Sequence, residues 1–268
     1  MAQLAMNEMT TFRWSFEQDV HQYLAAGIPA LGVWRQKISD FGEDKAVELL
    51  RDSGLQASSL LWAGGFTGSD GRTFRESLDD AREAVRLAAE MKAGCLVVYS
   101  GARAGHTHNH ARRILKSALS ELAGLAHELH VTLAVEPMHA AVAADWTFLT
   151  SLDETLATID EIGSPLVKIC FDTYHLGQEE DVLRRIPEIA SRIALVQLGD
   201  TKSPPQEEPH RCCLGEGMIP LREIVKSLIS AGYRGFFEVE LMGEEIEAAD
   251  YNDLLRRSKA AFEKLTQR

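Results

Sequence analysis

Carboxylates standing inside apolar runs are the residues of this chain with the most chemistry to offer. The run TLAVEPMH ends on Glu136, and KICFDTYH supplies Asp172 with His175 just beyond it. IALVQLGD contributes Gln197 and Asp200, and GFFEVELMG carries Glu238 and Glu240. An ionised carboxylate in apolar surroundings is costly unless it is paired, protonated or bound to a metal. Four runs that place such groups at equivalent positions point to one shared ligand. Glu136, Asp172, Gln197 and Glu240 offer hard oxygen donors that suit Mg²⁺ or Mn²⁺, and a nearby His would also admit Co²⁺ or Zn²⁺. The competing reading is a rim of salt bridges and helix caps. It serves for any one of these residues and is the weaker reading for all four together. Glu238 and Glu240 share a strand parity, so both face the same way. Glu240 lies nearer the strand's C-terminal end and is taken as the ligand. Glu238 is expected to form an ion pair inside the fold.

These residues need elements to position them. Apolar, β-rich runs fall near Gln3–Met9, Pro29–Trp34, Gln56–Trp62, Cys95–Ser100, Thr132–Glu136, Val167–Phe171, Ala194–Leu198 and Phe236–Leu241. They read as strands buried on both faces. Amphipathic stretches lie between them, with Phe74, Leu78, Ala81, Val85 and Ala88 at helical spacing, and likewise Ile114, Ala118, Leu122, Leu125 and Leu129. Further helices fit Phe16–Ala26, Asp44–Ser53, Leu221–Ala231 and Tyr251–Lys264. Ser151 with Glu154 makes a capping-box pattern, and Gly163 is a stop for the helix that follows. Eight strand-then-helix units with no dividing linker predict a single (β/α)8 barrel, the TIM barrel, as one domain over residues 1–268. A doubly wound open sheet is the alternative, but no Gly-rich phosphate fingerprint follows the first strand. In a barrel the site lies at the C-terminal ends of the strands, where the carboxylates fall.

Composition narrows the partners. The chain has 268 residues, 45% of them hydrophobic, and a formal net charge of -12. An acidic chain must build any phosphate-binding patch against its own field, which disfavours nucleic acid. The N-terminus lacks a basic region followed by an apolar one, and no run of about 18 apolar residues occurs, so no membrane partner and a cytoplasmic location are expected. Of the four cysteines, Cys95 and Cys170 sit in apolar runs and Cys212 and Cys213 are adjacent in a loop. None forms a CxxC pair, and all are expected to be reduced thiols.

The runs AVEPMH, CFDTYH, VQLGD…LGEG and GFFEVEL resemble the sugar phosphate isomerase/epimerase family of xylose isomerase-like barrels. The likeness follows the strand order over most of the chain and is sharpest from Thr132 to Gly243. It implies one divalent metal held by Glu, Asp, His and Glu from strands 5 to 8. Glu136, Asp172 and Glu240 match directly. Gln197 stands where His is usual; it offers a neutral oxygen and cannot act as a base. The resemblance also implies that Glu136 and Glu240 are the acid/base pair, removing and returning a proton beside a carbonyl. His175 and Arg211 match substrate-binding positions. The implied activity is isomerisation or epimerisation of a sugar-like or inosose-like small molecule. Dehydration by a lyase on the same scaffold is the alternative. A type IV apurinic endonuclease is a remote one, because the third strand lacks its His and the Asp-x-His pair is missing. Homo-oligomers are common in such families.

Other residues carry a functional and a plain reading side by side. His139 and His210, in the loops after strands 5 and 7, are candidate substrate contacts. His106, His108 and His110 read first as surface residues at a helix start, with substrate contact and then a second metal site as the other readings. Lys202 reads as an exposed loop lysine. Trp34 and Trp62 either stack on substrate or pack the rim. The Gly-rich stretch Ala63–Arg72 could cover the pocket.

Overall fold

The apolar runs close into a cylinder. The computed structural model describes residues 2–267. Its strands are β1 (Gln3–Asn7), β2 (Ala30–Trp34), β3 (Gln56–Gly64), β4 (Leu96–Tyr99), β5 (Leu133–Val135), β6 (Val167–Asp172), β7 (Ile193–Leu198), β8 (Asp200–Thr201), β9 (Arg211–Cys212) and β10 (Phe236–Val239). Strands β1 to β7 pair in parallel in chain order, and β10 sits between β7 and β1, so the sheet has no edge. β8 and β9 form a small antiparallel ribbon in the loop after β7. This is a (β/α)8 barrel.

Strand alternation sorts the side chains into two sets. Leu96, Val98, Leu133, Val135, Ile169 and Phe171 point outward into the main core, against the helices. Leu61, Cys95, Val97, Ala134, Cys170 and Leu195 form a separate apolar cluster within the barrel. The inward parity then continues toward the C-terminal ends, from Ala134 to Glu136, from Cys170 to Asp172 and from Leu195 to Gln197. Asp172, Gln197 and Glu238 are direct register partners across β6, β7 and β10. Glu136 and Glu240 lie one residue past the ends of β5 and β10.

The helices begin and end where short-range chemistry dictates. Ser15 and Thr73 make full capping boxes with Gln18 and Glu76. Gly163 ends the helix Leu152–Ile162 at φ 68°, a left-handed conformation that glycine adopts without strain. Only half of the Ser151 box forms. Ser151 accepts from the Glu154 amide, while the Glu154 carboxylate turns instead to His108 at 2.5 Å. Four helices, Arg35–Phe41, Thr173–Leu176, Val182–Ile189 and Glu244–Glu247, lie where none was assigned from the sequence. Three of them are short, of four or seven residues, and Val182–Ile189 contains Pro187, which masks helical spacing.

Candidate active site

The loops after β5, β6, β7 and β10 bring the expected residues together. Glu136, Asp172, His175, Gln197, Arg211, Glu238 and Glu240 are all buried. Glu136, His175, Arg211 and Glu240 line a cavity of ≈ 110 Å³, along with Trp62, Trp146, Met9, Met138 and Met242. Larger depressions lie elsewhere on the surface, but none of the charged side chains that line them is buried.

Asp172 caps the turn that follows it. Its Oδ1 accepts from the Tyr174 amide at 2.7 Å, which leaves Oδ2 pointing into the site. There Arg211 Nη2 stands at 2.8 Å and His175 Nε2 at 3.8 Å. Oδ2 nevertheless accepts no well-aligned hydrogen bond. His175 Nε2 also lies 3.8 Å from Glu136, and one atom each of Glu136, Asp172 and His175 lies within 4.8 Å of the others. The His139 amide donates to His175 Nδ1 at 3.2 Å, which leaves the ring proton on Nε2. Burial pushes the imidazole down to about 4, so His175 is neutral near pH 7 and offers an N–H to the cavity.

Glu240 is held from below. Asn7 Nδ2 donates to its Oε2 at 3.0 Å, and Gln197 Nε2 donates to the same oxygen. Arg211 Nη2 lies 3.4 Å from Oε1. Burial pushes the Glu240 carboxyl up to about 8, against the downward pull of Arg211. Burial, then repulsion from Glu240 and Asp172, lifts Glu136 well above the usual carboxylate range. Among the described residues Arg211 is the one cation beside these carboxyls. Its guanidinium lies 4.5 Å over the Tyr174 ring and passes so close to Gly199 that a Cβ there would sit 2.7 Å from Nη1.

Glu238 departs from expectation, and several other expected site residues lie off the cavity wall. Glu238 makes no ion pair among the described residues. It accepts from Ser58 at 2.5 Å, Ser59 at 2.7 Å and Asn7 at 2.7 Å. The His139 ring accepts from the Ala141 amide and so orders its own loop. The His210 ring contacts Ser203 Oγ at 3.0 Å and Tyr174 Oη at 3.3 Å, pinning the loop between β8 and β9. Neither ring lines the cavity. His106 and His110 lie with their ring centroids 4.8 Å apart, His108 pairs with Glu154, and the run contributes to no metal-ligand cluster among the described residues. Trp62 lines the cavity, while Trp34 packs edge-on behind it at 6.4 Å. Arg72 ties down the Gly-rich stretch through Asp70, Asp80 and the Gly64 carbonyl. Lys202 is exposed, as expected, with Glu245 at 3.4 Å.

Asn7 was missed, although it ends an apolar strand as Asp172 does. Tyr174, which underlies Arg211, carries no sequence signal beyond its place beside Asp172.

Comparison with known proteins follows this geometry. The model of the xylose isomerase-like TIM barrel matches residues 21–264. The chain belongs to that family. It is 26% identical to a ketose 3-epimerase of Arthrobacter globiformis over 80% of this chain and 73% of that protein. It is 26% identical to a Streptomyces coelicolor protein with the provisional name hydroxypyruvate isomerase, over 88% of this chain and 89% of that one. With a fructoselysine 3-epimerase of Shigella flexneri it shares 29% identity over 63% of this chain, which spans only 59% of the relative's length. The crystal structure of protein SMc04130 from Sinorhizobium meliloti superposes with a TM-score of 0.91 at 26% identity, covering 99% of this chain and 98% of that one.

Proposed function

We propose that this family member is a divalent-metal-dependent isomerase or epimerase of a ketose-like sugar, moving a proton beside the substrate carbonyl through an enediolate. One observation carries the reading. Three buried carboxyls, Glu136, Asp172 and Glu240, converge beside one cavity with a single cation, Arg211. Buried charge of one sign calls for compensation, and Asp172 Oδ2 lacks a well-aligned partner. The donor set therefore fits a hard cation. Glu136, Asp172 and Glu240 would hold it, joined by Gln197 once its amide turns to present Oε1 in place of Nε2. When bound, the metal polarises the carbonyl and offsets negative charge developing on its oxygen.

The chain's own residues do the rest. Glu136 and Glu240 come from β5 and β10, separated around the barrel by β6 and β7, and both line the cavity. One removes the proton and the other returns it. His175 donates from Nε2 to a substrate oxygen. Trp62, Trp146 and the three methionines supply an apolar wall that limits access of water. Among the described residues Arg211 is the one Lys or Arg on the cavity wall, and it is already committed to carboxylates, so an unphosphorylated substrate suits the site best. The names of the ketose 3-epimerase and fructoselysine 3-epimerase relatives support the same choice.

The test strips the protein with chelator and restores Mg²⁺, Mn²⁺, Co²⁺ or Zn²⁺ one at a time. A panel of ketoses and inososes is then followed by NMR in D₂O. Metal-dependent entry of deuterium beside a carbonyl, with an epimer or aldose as product, is the expected result. A dehydrated product would reassign the chain as a lyase. Absence of exchange across the panel with every metal would overturn the reading.

A further inference from the structure

A fully buried carboxyl with no cation beside it is an expensive feature, and the barrel makes several local provisions to keep Glu238. Between Leu31/Gly32 of β2 and Ala57/Ser59 of β3 the register slips by one, leaving Ser58 as an extra residue. A bulge of this kind lets consecutive side chains approach one point. Ser58 and Ser59 accordingly both donate to Glu238 Oε2, at 2.5 and 2.7 Å. Gly32 provides the room, because a Cβ there would lie 2.5 Å from the Glu238 carboxyl carbon. The other oxygen, Oε1, accepts from Asn7 Nδ2 at 2.7 Å and, at the longer distance of 3.5 Å, from Gln197 Nε2.

Asn7 links this acid to the site. Its Oδ1 accepts from the Met9 amide at 2.9 Å, which fixes which end of the side chain is nitrogen. The two hydrogens on Nδ2 then serve two carboxylates, Glu238 below and Glu240 Oε2 above.

We propose that Glu238 is a positioning residue: acting through Asn7, it fixes Oε2 of Glu240 toward the barrel interior and so turns Oε1 to the cavity. The inference rests on the reading of Glu240 as an acid/base group. The seat itself has a structural rationale independent of that reading. Without the lower acceptor, one Asn7 hydrogen loses its partner, and the amide is held only by Met9 and by Glu240 itself. Glu240 then samples orientations in which its reactive oxygen is misaligned. Loss of such an outer partner typically costs about 10–100-fold in activity or ligand affinity.

Glu238→Leu removes the acceptor while keeping an apolar filling. Glu238→Gln keeps it: Oε1 can accept from Asn7 while Nε2 turns to Ser58 and Ser59, whose hydroxyls can rotate to accept. Glu238→Leu is expected to lower kcat by about 10–100-fold with KM little changed, and Glu238→Gln to restore it to within about threefold. Asn7→Ala should reproduce the loss, and combining it with Glu238→Leu should add little further, as for residues acting in one chain. It also serves as the test if Glu238→Leu does not fold. Independently of activity, the Asn7 side-chain amide protons, followed by ¹⁵N NMR, should be protected from exchange in wild type and Glu238→Gln and unprotected in Glu238→Leu. Protection that survives Glu238→Leu, or full kcat in either Glu238→Leu or Asn7→Ala, overturns the proposal. So does a Glu238→Gln variant as impaired as Glu238→Leu, because the carboxyl itself would then be required. If Glu240→Gln turns over normally while the Asn7 amide responds as described, the acid/base reading fails and the anchoring of Asn7 by Glu238 stands.

Discussion

Two groups of buried charge lie at the mouth of this barrel, and they are resolved in opposite ways. Beside β1, Glu8 and Asp19 share Lys37. The ammonium reaches Asp19 Oδ2 at 2.5 Å and the Glu8 and Thr11 carbonyls at 3.2 and 3.0 Å. Thr11 donates to the second Asp19 oxygen at 2.6 Å, and the Trp34 amide donates to Glu8 Oε2 at 2.7 Å. Burial, then the Asp19 charge, raises Glu8 well above the usual carboxylate range. One retained proton therefore balances the group, and the Glu8 oxygen left without a partner as a carboxylate can then donate to Asp19. Across the barrel, Glu136, Asp172 and Glu240 face one arginine and open onto a cavity. The first group is closed and neutral by its own means. In the second, Glu136 and Glu240 are likewise raised, but the group opens onto a cavity where a bound cation can take the place of the retained protons. Buried acidity alone does not mark a site; carboxyls that converge on a cavity do.

Substitutions at the open group should cost activity. Glu136→Gln or Glu240→Gln should lower kcat by about 10²–10⁴-fold, the range for loss of an acid/base group. Thermal melting in chelator should be unchanged or higher, since each removes part of a buried like-charge repulsion. A large fall in melting temperature would instead mean that these carboxyls support the fold.

At the closed group the loss should fall on stability. Lys37→Met strands Asp19 without its cation and should cost about 3–5 kcal/mol in denaturant unfolding, as for other broken buried pairs. A cost below about 1 kcal/mol, the range of a surface pair, would show that the group is not closed as described.

The smallest effect is a pH dependence. A carboxyl raised in the folded state binds its proton more tightly there than in the unfolded chain. Its contribution is complete below the ordinary value of 4.5 and is lost as pH rises from there toward the raised folded value. Glu8→Gln is neutral throughout and escapes that loss. Its stability relative to wild type should therefore grow between pH 5 and pH 8, as read from parallel denaturant titrations. A difference that stays flat over that range would mean that Glu8 does not hold a proton.

Much of this arrangement is legible in the residues themselves. Strands buried on both faces write themselves as apolar runs, and a polar residue at the C-terminal end of a run marks the mouth, as with Asp172. The same rule reaches Asn7, which went unread because an amide carries no obvious chemistry. What stayed hidden depends on contacts between distant strands. Glu238 looked like half of an ion pair, because neither the slip at Ser58 nor the space above Gly32 can be read from the chain. The rings of His139 and His210 point into their own loops, and loop conformation follows no strand periodicity. The closed group was invisible for the same reason, since Lys37 and Asp19 lie on helices whose packing brings them together.

The central claim is that the open group holds a divalent metal. Calorimetric titration of stripped protein, with elemental analysis after dialysis, tests it most directly. One Mn²⁺ or Zn²⁺ per chain in wild type, and none in a folded Asp172→Ala variant, is the predicted result. No binding by wild type, or equal binding by the variant, would contradict it.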